Sequence, residues 1–110
     1  MGAVGQRSGN QKGKDTMTQE QTKIRKRITF YGWVQGVGFR YRAAHAAEYY
    51  GVTGWVKNNY DGSVTMEIQG TEEQIDAVIL SIERGTYVRI ENMTCQLLPL
   101  DDSETRFRVR

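Results

Sequence analysis

Val34-Gln35-Gly36-Val37-Gly38-Phe39-Arg40 (VQGVGFR) marks the point where the periodicity of this chain changes. Before it, Ile28, Phe30, Gly32 and Val34 alternate with Thr29, Tyr31 and Trp33, the period of two expected of a strand with one buried face. After it, Phe39, Ala43, Ala46, Ala47 and Tyr50 recur at helical spacing, and Gly51 is placed to end that helix. The seven residues are therefore a strand-to-helix junction that carries two glycines and an arginine.

Reading outward, Val52 to Asn58 alternates again and predicts a second strand, and Asn59-Tyr60-Asp61-Gly62 supplies hairpin chemistry, Asp-Gly favouring positive φ. Ser63 to Gln69 predicts a third strand, with Val64, Met66 and Ile68 on one face. Thr71-Glu72-Glu73-Gln74 has the form of a capping box, with acids in the positive first turn of the helix it opens. Ile75, Val78, Ile79 and Ile82 form one stripe on that helix, and Gly85 closes it. A fourth strand is expected from Val88 to about Leu98, and Phe107 and Val109 between arginines suggest a short fifth. The order βαββαβ predicts an α+β, ferredoxin-like domain, an antiparallel sheet with two helices on one face. In that arrangement strands one and two run parallel with strand three between them. The junction at 35–40 and Asn58 then leave the same edge of the sheet, about 10 Å apart.

The 110 residues suffice for one domain. With 38% hydrophobic and 25% charged residues, the composition is that of a globular protein. No run approaches the ~18 apolar residues of a membrane span, and no secretory h-region opens the chain. One cysteine, Cys95, permits no internal disulfide, so the cytoplasm is expected. Residues 1–22 hold almost no large apolar side chains and read as a disordered basic tail, leaving 23–110 as the domain. Met17 is a possible alternative start. Residues 1–27 carry seven Lys or Arg against Asp15 and Glu20, so of the overall +2 the remainder keeps a net −3. A fold that gripped nucleic acid would show the opposite distribution, so no nucleic-acid partner is expected.

The junction has a chemical reading of its own. Backbone N–H groups at a helix entry lack intrahelical partners, and the helix dipole adds positive charge there. Gly36 and Gly38 let the backbone curl into a concave nest, and Arg40 adds a planar fork suited to phosphate oxygens. The spacing matches neither G-x-G-x-x-G nor G-x-x-x-x-G-K-[ST], so a dinucleotide or P-loop site is unsupported.

VQGVGFR, followed by GVTGWVKN (Gly51 to Asn58) and the hairpin YDGSV, resembles the signature of the acylphosphatase family, and the resemblance covers nearly all of 25–110. It implies a cofactor-free, metal-free enzyme that hydrolyses the carboxyl–phosphate bond of acyl phosphates to a carboxylate and inorganic phosphate. It further implies that the loop Gln35, Gly36, Val37, Gly38, Phe39 and Arg40 binds the phosphoryl group and that Asn58 positions the attacking water. Arg40 and Asn58 are thus the expected catalytic residues. The expected partner is a small acyl phosphate, with inorganic phosphate as product and competitive inhibitor, and the expected state is a monomer. Two features differ from many relatives: Thr86 stands where they carry a proline after the glycine, and the basic leader is long. The residue inventory suits the reaction, because a carboxylate leaves without a general acid and phosphoryl transfer chiefly needs positioning and charge stabilisation.

Other candidates read as structural. His45 falls mid-helix among alanines, Asp61 belongs to a turn, and Cys95 has no basic neighbour to activate it. The rival reading is a non-enzymatic ferredoxin-like ligand- or RNA-binding module, stacking bases on Tyr31 and Trp33. Strand three offers only Thr65, Glu67 and Gln69 to complete such a platform. A regulatory or carrier domain of a larger carbamoyl-transfer protein is a further rival, and a single domain points instead to a free enzyme.

Overall fold

The structure, a computed structural model, describes residues 22–110, so all but the last residue of the expected 1–22 tail lies outside the described residues. The elements run β1 (Lys23–Trp33), α1 (Phe39–Tyr50), β2 (Thr53–Asn58), β3 (Val64–Thr71), α2 (Glu72–Glu83), β4 (Arg89–Leu98) and β5 (Phe107–Val109). The sheet order is β4-β1-β3-β2-β5. β3 is antiparallel to both β1 and β2, so the latter two run parallel on either side of it, as expected of a ferredoxin-like α+β domain.

Each helix ends as its residues dictate. Gly51 adopts the left-handed conformation after α1, its N–H reaching back to the Glu48 carbonyl. At the start of α2 the Thr71 hydroxyl accepts from the Gln74 N–H at 3.1 Å while the Gln74 side chain accepts from the Thr71 N–H at 2.9 Å. Phe39, Ala43, Ala46 and Ala47 of α1 and Ile75, Val78 and Ile82 of α2 are buried against Ile28, Phe30, Val56, Val64, Met66 and Ile68 of the sheet. The core is one layer of apolar side chains between the helices and one sheet face.

The fifth strand corrects the expectation of a wholly antiparallel sheet. β4 and β5 lie at opposite edges, and residues 99–106 cross between them over the face without helices. Gln69 of β3 takes the Asp101 N–H at 2.8 Å, and Arg25 of β1 reaches Glu104 at 2.7 Å. This crossing lies at the start of β1, far from its glycine junction, so β5 must run back alongside β2 and pairs with it in parallel, Gly54 opposite Phe107. The sheet is therefore mixed.

Arg25 is only 4% exposed and Glu67 8%. Arg25 donates to Glu67 at 3.0 Å, and the other oxygen of Glu67 accepts from Arg27 at 2.8 Å. Burial pushes the Glu67 carboxyl up, but the hydrogen bonds and positive charge of Arg27 and Arg25 outweigh it and hold the group below its ordinary range. A buried arginine with two acidic partners is thus the clasp that holds the crossing segment on the sheet.

Candidate active site

β1 delivers the glycine junction to the sheet edge. Gly36 (φ 73°) and Gly38 (φ 83°) both occupy the left-handed region, and a side-chain carbon added at either would meet nothing within 4 Å, so the demand for glycine is conformational. Gly38 immediately precedes α1. Among the described residues, the N–H groups of Gly36 to Arg40 find no acceptor. The loop is fixed from beneath: Phe39 is buried against Phe30 with ring centres 4.9 Å apart, and Val37 packs partly into the core. Phe39 and Val37 therefore turn their side chains inward and offer the loop only their backbone.

Gln35 spends its side chain on the neighbouring turn. Its Nε2 donates to the carbonyls of Asn59 at 2.7 Å and Ser63 at 2.8 Å. That turn is locked by its own short-range bonds. Asn59 Nδ2 donates to Thr65 Oγ1 at 2.7 Å, and Asp61 accepts from the Ser63 hydroxyl at 2.6 Å and its N–H at 3.0 Å. Those bonds hold the Asp61 carboxyl below its ordinary range and give it the turn role expected from Asp-Gly.

β2 delivers Asn58. Val64 of β3 lies opposite Asn58 on one side and Phe30 on the other, so the end of β2 is level with Phe30, and β1 runs three residues further, to Trp33, before its junction leaves the same end of the sheet. Asn58 is exposed, and its carboxamide makes no hydrogen bond among the described residues. Arg40 is half-buried and donates to the Arg110 carbonyl at 2.8 Å. Arg110 in turn donates its N–H to Val56 at 2.8 Å and rests its guanidinium 4.3 Å from the centre of the Trp55 ring. Sequence reading missed Arg110; the alternation of Phe107 and Val109 flagged a strand but carried no sign of its partner.

The remaining candidates stand apart. His45 is exposed on α1 and stacks on Tyr41 with ring centres 5.9 Å apart, and Cys95 is exposed on the edge strand β4. Among the described residues no three His, Cys, Asp or Glu side chains gather as a metal site, and no helix is long and apolar enough to cross a membrane.

An open nest of amides, an arginine in the first turn of the helix that follows it and an uncommitted carboxamide across one strand suit a tetrahedral anion and a water molecule. In the comparison with known proteins, the acylphosphatase family model matches residues 26–109. The chain belongs to the acylphosphatase family. This acylphosphatase is 38% identical over 86 residues to the acylphosphatase of Oceanobacillus iheyensis, covering 76% of this chain and 94% of that one. It is 43% identical over 79 residues to that of Geobacillus kaustophilus, covering 71% and 84%. The crystal structure of acylphosphatase from Bacillus subtilis superposes with a TM-score of 0.72 at 28% identity, covering 79% of this chain and 98% of that one. Acylphosphatases hydrolyse acyl phosphates, and the activity of this chain is that of its family.

Proposed function

We propose that this acylphosphatase holds the phosphoryl group of its substrate in the 35–40 loop and that Asn58 sets the water that attacks it. The observation that supports this reading is that β1 and β2, parallel on either side of β3, bring the free loop amides, Arg40 and the unpaired Asn58 carboxamide to one end of the sheet. Arg40 forks onto two phosphoryl oxygens while the amides of Gly36 to Arg40 take the third, spreading the charge that develops there. Water attached to Asn58 attacks phosphorus, the bond from phosphorus to the acyl oxygen breaks, and the carboxylate departs with the electron pair. The water's proton passes to a phosphoryl oxygen, so the step balances with no further acid or base.

Inorganic phosphate fits the same nest and is a competitive inhibitor on this reading. A monomeric, cytoplasmic enzyme accords with it. A base-stacking platform does not: on the helix-free face Glu67 is tied to Arg25 and Arg27, and the segment carrying Asp101 and Glu104 lies across it. The test is turnover of benzoyl phosphate by the full chain, with inhibition by inorganic phosphate measured in parallel. Saturable hydrolysis with competitive inhibition is expected. Binding of single-stranded RNA without hydrolysis would overturn the assignment.

A further inference from the structure

Trp33 ends β1 directly before the phosphate loop, yet it is 68% exposed, and Tyr87 in the α2–β4 connection is 73% exposed. Together with Thr86, Val88 and Arg89 they line a cavity of about 300 Å³, a size that suits a small organic group. The β1–β4 ladder leaves no room for a side chain at its bend here. At Gly32 (φ 129°) the register shifts by a bulge, and a side-chain carbon on that residue would sit 2.3 Å from the Arg89 carbonyl. Bulges re-aim neighbouring side chains, and this one leaves Trp33 opposite Arg89 at the lip of the loop.

The position of the cavity relative to Asn58 gives it a meaning. In the order β4-β1-β3-β2, the phosphate loop leaves β1, Asn58 lies two strands away on one side, and the cavity lies between β1 and β4 on the other. Phosphoryl transfer sets the entering and leaving oxygens roughly in line, on opposite sides of phosphorus. If water enters from the Asn58 side, the leaving carboxylate and the group it carries point toward Trp33 and Tyr87. We propose that this cavity is the acyl subsite and that its two aromatic walls select acyl phosphates with a planar, apolar acyl group. Arg89 brings positive charge to the side on which the departing carboxylate gains its negative charge.

The inference rests on the assignment of Arg40 and Asn58 above, and the experiment separates the two. Turnover of benzoyl phosphate and acetyl phosphate is measured for the full chain and for Trp33→Ala, Tyr87→Ala and Arg40→Ala, with the inhibition constant for inorganic phosphate. Both aromatic variants should lose roughly tenfold in kcat/KM for benzoyl phosphate, the effect of about 1.4 kcal/mol of lost ring contact. Acetyl phosphate, too small to reach the walls, and phosphate inhibition should change less than about twofold. In the unaltered chain, benzoate should inhibit at least tenfold more strongly than acetate, a measurement that needs no variant to fold. An unchanged benzoyl-to-acetyl ratio in both aromatic variants, with Arg40→Ala inactive, overturns the subsite alone. Equal inhibition by benzoate and acetate does the same. Full activity of Arg40→Ala overturns the phosphate assignment and the subsite with it.

Discussion

Gln35 and Asn59 are joined by a hydrogen bond of 2.7 Å from side-chain amide to backbone carbonyl, and the same amide reaches the Ser63 carbonyl at 2.8 Å. One side chain thereby ties the 35–40 loop to the turn that follows Asn58, coupling two segments of the proposed site that enter from different strands.

Removing that tie should misplace Asn58 more than it disturbs phosphate. Gln35→Ala is expected to lower kcat about tenfold or more while the inhibition constant for inorganic phosphate moves less than about threefold. Gln35→Glu should not rescue turnover, since an ionised carboxylate cannot donate to two carbonyls. Equal losses in kcat and phosphate affinity would show that the tie shapes the anion nest instead.

Arg40 and Asn58 should separate in the same two measurements. Arg40→Ala should abolish turnover and weaken phosphate inhibition together, and Arg40→Lys should recover little because a point charge lacks the bidentate fork. Asn58→Ala should lower kcat by roughly 10² or more with phosphate inhibition near wild type. A loss of phosphate affinity in Asn58→Ala as severe as in Arg40→Ala would contradict the division of roles.

Turnover should survive EDTA if, as proposed, Arg40 and the loop amides supply the positive charge that phosphoryl transfer demands. Steady-state rates before and after chelation, and after addition of Mg²⁺ or Zn²⁺, check this. Loss in chelator with recovery in metal would be the contrary result.

The Arg25–Glu67 clasp should write itself into the pH dependence of stability. The folded carboxyl of Glu67 titrates below its unfolded value, so its contribution is fully present above the unfolded value, near pH 4.5, and is lost as pH falls through the folded one. Glu67→Gln should cost about 2 kcal/mol at neutral pH by leaving Arg27 without its acidic partner and Arg25 with Glu104 as its one remaining carboxylate. Its melting temperature should also fall less steeply than that of wild type between pH 5 and pH 3, as followed by circular dichroism.

Much of this domain was legible because its signals are local. The change of period at Val34 to Phe39, the left-handed demand at Gly36 and Gly38, and the Thr71–Gln74 box each depend on a handful of adjacent residues, and each is found where expected. What escaped depends on partners distant in the chain. Arg25 reads from the sequence as one more charge of the basic 1–27 segment, and only the return of Glu104, 79 residues later, makes it a buried clasp. Likewise the pairing of β5 beside β2, and with it the contact from Arg40 to Arg110, follows from the route of 99–106 across the sheet, which no local pattern encodes. For Gln35 the loop was recognised, but the direction of its side chain belongs to the turn at 59–63.

Because Val64 stands between Phe30 and Asn58, the strand that unites the two halves of the proposed site is the last of the three to emerge from the ribosome. The helix α1 can form from neighbouring residues, but the loop at its entrance is not joined to Asn58 across the sheet until β3 inserts between β1 and β2. Such non-local pairing is slow relative to helix formation because the intervening chain must first be closed into loops. A chain diluted from denaturant should therefore regain helical circular dichroism ahead of turnover, and the return of hydrolysis should time the insertion of that central strand.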